Sequence, residues 1–461
     1  MQYDFTSRVN RRGAGAMKWD EMLRENPSIP SDVVPLSVAD MEFANPPEVK
    51  RALHELVDAG PLGYTRPTDR FYSSVIDWQV RHHGWVPERD WIVTTPGVVP
   101  AVFNAIRELT APGDGVIIQT PVYYPFKMAV ESSKRTLVEN PLKIVNGRYE
   151  MDFEDLARKA AQPNAKLLVL CSPHNPVGRV WTVAELRKVI DICMENDVLI
   201  LSDEIHNDLI MPGNSHVTLG SIASGEELRS MVICTAPSKT FNLAGVQCSV
   251  IYIPDEDIRS RFKAGFESLM LSNLNAFAYT ACEAAYDCCE AWLSQLIDVV
   301  WTNFSLLVDW SSRKHPELTV YELQGTYLAW VDFGAWGLTS SELKDFMRKE
   351  ALLWLDEGRC SERRAVALNV STLPARPPCS RIRFPALMLR HSVQALWVDS
   401  EICHEVSSQC YRLPGSRWCG LQGDDGRSPC LRVRPGFPCR RWRHHHWRRC
   451  EFPNFTDTRP D

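Results

Sequence analysis

Between Trp91 and Pro254 the chain alternates short apolar, β-branched runs with stretches of helical period, and this alternation limits the fold more than any other feature. The runs are "DWIVTTPG", "GDGVIIQTPVYY", "AKLLVLCSP", "VLILSDEI", "SMVICTAPS" and "VQCSVIYIP". Strands apolar on both faces belong in a sheet that is covered on both sides, and strands separated by helices are joined in parallel. The expected fold class is therefore α/β with a mainly parallel sheet. "TVAELRKVIDICMEND" fits between two strands as a helix, with Thr182 as N-cap and Glu185 at the capping-box spacing.

After Cys289 the pattern changes. "EAWLSQLIDVVWTNFSLLVDWSSRK" reads as a long helix, "GTYLAWVDFG" as a strand and "SSELKDFMRKEALLWL" as a further helix, a second and smaller α+β domain. A chain of 461 residues is long enough for two cores. The expected organisation is an N-terminal arm with part of the small domain over 1–48, a large domain over 49–289, an incomplete small domain over 290–358 and an anomalous tail over 359–461.

The tail differs in kind from the body. The formal net charge is −6, yet residues 359–461 carry 18 Arg, no Lys and nine acidic residues, and they hold 8 of the 15 cysteines. The spacing of Cys430, Cys439, His444, His445, His446 and Cys450 fits no zinc module, and the Trp, Cys and Pro content does not suit a nucleic-acid arm. Neither a metal nor a nucleic acid is expected. In the body, Cys171, Cys193, Cys234, Cys248 and Cys282 lie in apolar segments without a C-x-x-C pair, as reduced core residues do. With no apolar run of about 18 residues and no secretory h-region, a cytoplasmic protein without a membrane span is expected.

Parallel sheets collect ligands beyond the carboxyl ends of their strands. Asn175, Asp203 and Lys239 each follow such an end. A lysine held there, partly desolvated, is an amine nucleophile toward an aldehyde cofactor. The neighbouring groups are those that pyridoxal 5'-phosphate requires. Asn175 suits the ring 3-oxygen and Asp203 the ring nitrogen, while Tyr123 can stack on the ring face. "TTPGVVPAVFNAIREL" turns at a glycine into a helix whose amides at Gly97, Val98 and Val99 can hold a phosphate. Singly, each has a plain structural use: a helix cap, an Asx turn, a core tyrosine. Their joint order is the signal.

On "SVADMEF", "GYTRP", "LCSPHNPVGRVWT", "SDEIHNDL", "SKTFNLAG" and "GTYLAW", spread over residues 3–358, the chain resembles the fold-type I pyridoxal-phosphate enzymes of the aminotransferase class I/II superfamily, in the cystathionine β-lyase (carbon–sulfur lyase) branch. The resemblance implies an aspartate-aminotransferase-like fold and a Schiff base on Lys239. It also implies a ring held by Asp203 and Asn175, and a homodimer in which Tyr64 reaches the phosphate of the neighbouring subunit. Ser238 precedes the lysine in the family's Ser-Lys pair, and Ala236 stands where a serine is usual. His206 occupies the position at which aminotransferases carry Tyr, and "SKTFNLAGVQCS" lacks their phosphate-binding Arg. Both departures favour the lyase: β-elimination from cystathionine or a cysteine S-conjugate, giving a thiol, pyruvate and ammonia. An aminotransferase acting on an amino acid is the close rival.

After "ALLWLDEG" the family pattern calls for a glycine-rich turn and Gly-Phe-x-Arg-Leu-Asn, whose Arg binds the substrate carboxylate. The chain instead reads "RCSERRAVALNVSTLPARPP". Read one frame over, the permitted codons from Cys360 can spell Phe-Gly-Glu-Thr-Gly-Gly-Gly-Phe-Glu-Arg-Leu-Asn, and the Asn369–Val370 junction allows only Arg or Cys at the place where the family has Arg. A frameshift near Gly358 is the expectation, with a poorly ordered tail that builds no core of its own and, as a third reading, a catalytically impaired or non-enzymatic product of the shifted frame.

Overall fold

The computed structural model describes residues 2–357 and 365–370, which lie within one compact unit, Met1–Val398. Its strands are β1 (Ile92–Thr95), β2 (Gly115–Ile118), β3 (Thr136–Glu139), β4 (Lys143–Val145), β5 (Arg148–Glu150), β6 (Ala165–Cys171), β7 (Leu199–Asp203), β8 (Met231–Thr235), β9 (Ser249–Tyr252), β10 (Thr319–Val320), β11 (Leu328–Asp332), β12 (Asp356–Glu357) and β13 (Ala365–Asn369). Seven form one sheet in the order β1-β9-β8-β7-β6-β2-β3. Its centre is parallel, and β9 alone runs against its neighbours β8 and β1.

Alternate side chains of the central strands feed two cores. Leu167, Val169 and Cys171 of β6 join Leu201, Val232 and Ile251 on one face, while Leu168 and Leu170 join Ile200, Ile233 and Val250 on the other. Both faces are buried, which is why these strands read as unbroken apolar runs rather than as alternating ones. The edge strand β3 has two of its four residues exposed and gives no such run, so the sequence does not reveal it. Helix Val183–Glu195 carries the full Thr182–Glu185 capping box.

The smaller sheet is antiparallel, in the order β10-β11-β13-β12. Helix Glu290–Lys314 lays Trp292, Leu296, Val300 and Phe304 into the core. It is long and apolar enough to cross a membrane, but this stripe packs inside the protein. The N-terminal helix Met17–Glu25 buries Trp19 and Met22 with Trp354.

Two expectations are corrected here. The helix expected over "SSELKDFMRKEALLWL" stops at Glu350, because Leu352 takes a left-handed φ of 54° and turns the chain toward β12. Position 358 is also not the end of the small domain. Ala365–Asn369 forms an inner strand between β11 and β12, since five residues buried on both faces suffice to complete a ladder. The rest of the tail, with its Cys and His cluster, lies outside the described residues.

Candidate active site

Strands β6, β7 and β8 end side by side, with Cys171 opposite Asp203 and Asp203 opposite Cys234. The turns beyond them carry Asn175 and Lys239. Lys239 lies on the short helix Pro237–Thr240 and is partly exposed as a residue, but its amine turns inward to donate to the Ala39 carbonyl over 2.7 Å. Burial pulls the Lys239 pKa down, and the charges of Asp40, Asp203 and Asp356 oppose that pull. A desolvated amine of this kind is more readily neutral and nucleophilic.

Asp203 is buried, and burial pushes its carboxyl up to about 7 against a hydrogen bond from the Ile205 amide (3.1 Å) and the Lys239 charge. Among the described residues its second oxygen accepts no hydrogen bond. Tyr123 stands in the same field: burial raises its pKa first, then Tyr124, Asp203 and Asp356. The Asn175 amide nitrogen of the backbone rests on Cys171 Sγ at 3.3 Å, and its side-chain amide has no hydrogen-bond partner among the described residues.

His206 is buried, and its Nδ1 has no hydrogen-bond partner among the described residues. Burial, then the Lys239 charge, pushes it down to about 3, so the imidazole is neutral at physiological pH. Its ring meets Tyr327 edge-on, centroids 5.9 Å apart.

Helix Val98–Leu109 begins where β1 ends, at the same edge of the sheet, and Gly97 is an N-cap without a capping side chain. The first amides of this helix are thus left to an anion. Ser238 turns its hydroxyl onto the Cys248 carbonyl, 3.5 Å away. Tyr64 is fully exposed, at 113% relative exposure.

Sequence motifs did not reveal the partners that Lys239 meets. Ala39 comes from "SVADMEF" and Tyr327 from "GTYLAW", and the Tyr327 hydroxyl donates to the same Ala39 carbonyl over 2.9 Å. Asp356 of β12 accepts from the Val38 amide (2.8 Å), and Asp40 pairs with Arg11 and Lys18 at 3.0 Å each. Both motifs were visible, but no local pattern says that they touch.

This donor set suits pyridoxal 5'-phosphate. An amine suits its aldehyde, and a buried carboxyl with one free oxygen suits a protonated ring nitrogen. A free amide suits the ring oxygen, an uncapped helix end the phosphate, and the orphaned Nδ1 of His206 gives a further polar contact. Cystathionine beta-lyase PatB of Bacillus subtilis (strain 168) is 40% identical over 355 residues, 77% of this chain and 91% of that one. Cystalysin from Treponema denticola, whose crystal structure contains pyridoxal 5'-phosphate, superposes with a TM-score of 0.80 at 42% identity over 84% of this chain and 97% of that one. The pyridoxal-phosphate-bound C-S lyase from Staphylococcus hominis gives 0.74 at 29% identity, covering 81% and 95%. The aminotransferase class I and II family matches residues 31–394, running past the point at which the sequence motifs stop. With a mainly parallel sheet, a buried lysine amine at its carboxyl edge and relatives this similar over most of its length, the chain belongs to the aminotransferase class I and II family.

Proposed function

We propose that this protein is a pyridoxal-phosphate-dependent carbon–sulfur β-lyase acting on cystathionine or cysteine S-conjugates. The observation that carries the reading is the Lys239 amine, turned inward 2.7 Å from the Ala39 carbonyl at the edge where Asp203 ends β7. The bound cofactor supplies the electron sink for a carbanion at the substrate Cα. Lys239 takes the Cα proton as its neutral amine, and its ammonium gives that proton to the departing sulfur as the Cβ–S bond breaks, so that a thiol leaves. Asp203 holds the proton of the ring nitrogen, Asn175 donates to the ring oxygen, and Tyr123 covers the ring face. Gly97, Val98, Val99 and Ser238 hold the phosphate. His206, neutral and buried, is a ring-side contact where aminotransferases place Tyr, and it supports the lyase over the transaminase.

The functional unit is a homodimer in this reading, with Tyr64 reaching its neighbour's phosphate. Its full exposure supports that role, as does the exposed Leu269, Met270 and Leu271 segment. All seven described cysteines are free thiols, in keeping with the cytoplasm. A change of reading frame near Gly358 accounts in this reading for the departure from the family pattern after "ALLWLDEG", and residues 365–370 contain no Arg for the substrate carboxylate.

Incubation with cystathionine, beside an amino donor with a keto acid, tests the reaction. Thiol and pyruvate from the first mixture support the lyase, whereas amino exchange in the second alone would make the protein an aminotransferase. Lys239→Ala abolishes the lysine-bound cofactor band, and a cofactor still fixed by borohydride in that variant would refute the lysine assignment.

A further inference from the structure

Two donors from distant parts of the chain converge on one carbonyl oxygen: the Lys239 amine at 2.7 Å and the Tyr327 hydroxyl at 2.9 Å, both on Ala39. The residues just before the two supporting groups are strained. Val38 precedes Ala39 with φ 57° and Thr326 precedes Tyr327 with φ 69°. Both are β-branched, and such residues leave the left-handed region unless their surroundings force them into it.

The surroundings do force them. The Val38 amide donates to Asp356 (2.8 Å), while the Asn369 side chain donates to the carbonyls of Val38 (3.2 Å) and Asp40 (2.8 Å). Lys18 donates to the Asp40 carbonyl (2.8 Å), and the Met41 amide donates to Asn242 (3.0 Å). Thr326 is held through its amide on the Leu209 carbonyl (2.8 Å) and through its hydroxyl, which accepts from the Leu328 amide (3.0 Å). Strain placed beside both partners of one contact is a cost borne for aiming that contact.

We propose that the Ala39 carbonyl is the acceptor that holds the Lys239 amine whenever it is not joined to the cofactor, and that Tyr327 is the positioning residue for that carbonyl. The idea rests on the cofactor reading above. Its chemical logic lies in the acceptor. A carboxylate at this place would keep the amine protonated and unreactive, whereas a carbonyl accepts from a neutral or a charged amine alike and leaves it free to attack. The nearby carboxylates are engaged elsewhere, Asp40 with Arg11 and Lys18, and Asp356 with Val38.

The test compares cofactor-free wild type, Tyr327→Phe, Lys239→Ala and the double variant. One measurement is the rate at which added pyridoxal 5'-phosphate becomes fixed to protein by borohydride, and the other is its reversible binding in the Lys239→Ala background by fluorescence quenching. Tyr327→Phe is expected to slow covalent capture about three- to tenfold, the range of one neutral hydrogen bond, and to leave binding in the Lys239→Ala background unchanged. Val38→Gly, which frees the carbonyl without removing a hydrogen-bonding side chain, is expected to slow capture as well. Unchanged capture in both variants overturns the proposal, and so does an equal loss of binding with and without Lys239, which would make Tyr327 a ligand of the cofactor or a prop of the fold. A wild type that captures no cofactor at all instead defeats the cofactor reading, and this proposal with it.

Discussion

Thr240 gives its hydroxyl hydrogen to Oδ2 of Asp208 over 2.7 Å, and because Thr240 follows Lys239 this bond ties the lysine's short helix to the loop that begins at Asp203. Oδ1 of the same carboxylate meets Trp78 Nε1 at 3.0 Å and His83 Nε2 at 2.9 Å. The His83 ring lies edge-on to His216, 5.7 Å between centroids, and His216 meets Glu204 at 3.2 Å. Two buried carboxylates of "SDEIHNDL" are thus matched by two imidazoles from elsewhere in the chain.

Asp208→Ala leaves His83, Trp78 and Thr240 without their acceptor in a site closed to water, so a loss of about 3–5 kcal/mol in folding stability is expected. Thr240→Val removes one bond and should cost about 1–2 kcal/mol. Denaturant titration of both variants checks the ranking; equal small losses would mean that the network is slack.

Asp203→Asn should retain the cofactor and lose turnover. An amide cannot hold the ring nitrogen protonated, and an electrostatic contact made where charge develops is worth about 3 kcal/mol or more, roughly a hundredfold in rate. Turnover near that of the wild type would remove Asp203 from its role.

The same substitution has a pH signature in the cofactor-free protein. Folding lifts the Asp203 carboxyl from near 3.8 to about 7, so between those values the folded state binds more protons than the unfolded one. Stability linked to this group is therefore present at low pH and is lost as pH rises through about 7. Asp203→Asn should be neutral near the acid end and stabilising by about 2–4 kcal/mol at alkaline pH. Melting curves across the range decide it, and a gain that does not grow with pH counts against a buried, protonated carboxyl.

If Tyr64 serves the neighbouring subunit of a homodimer, Tyr64→Ala should weaken cofactor binding although Tyr64 is fully exposed in its own chain. Mixing Tyr64→Ala with Lys239→Ala subunits gives hybrids in which one site has both residues intact, so affinity should recover in a fraction of sites. Titration of the mixture reads this directly, and no recovery would place Tyr64 elsewhere.

The chain as written should bind the cofactor but turn over little substrate, because a lost bidentate carboxylate contact costs about 2–5 kcal/mol. Restoring the other frame after Gly358 should recover turnover. Full activity without that change would mean that another residue holds the carboxylate and that the frame is correct as it stands.

The parallel centre of the sheet, and the places where polar groups leave it, were legible from residue order alone. Strands buried on both faces must be apolar throughout, so Asn175, Asp203 and Lys239 stand out where those runs stop, and the Thr182–Glu185 capping box is a local pattern complete in four residues. What meets the lysine is set by contacts between distant parts of the folded chain. Ala39 and Tyr327 are separated by 288 positions and join through packing, Tyr64 is left fully exposed, and β13 forms because β11 and β12 offer it two ladders. Hydrogen bonds between distant loops leave no period in the chain, and a residue's exposure is a property of everything folded around it.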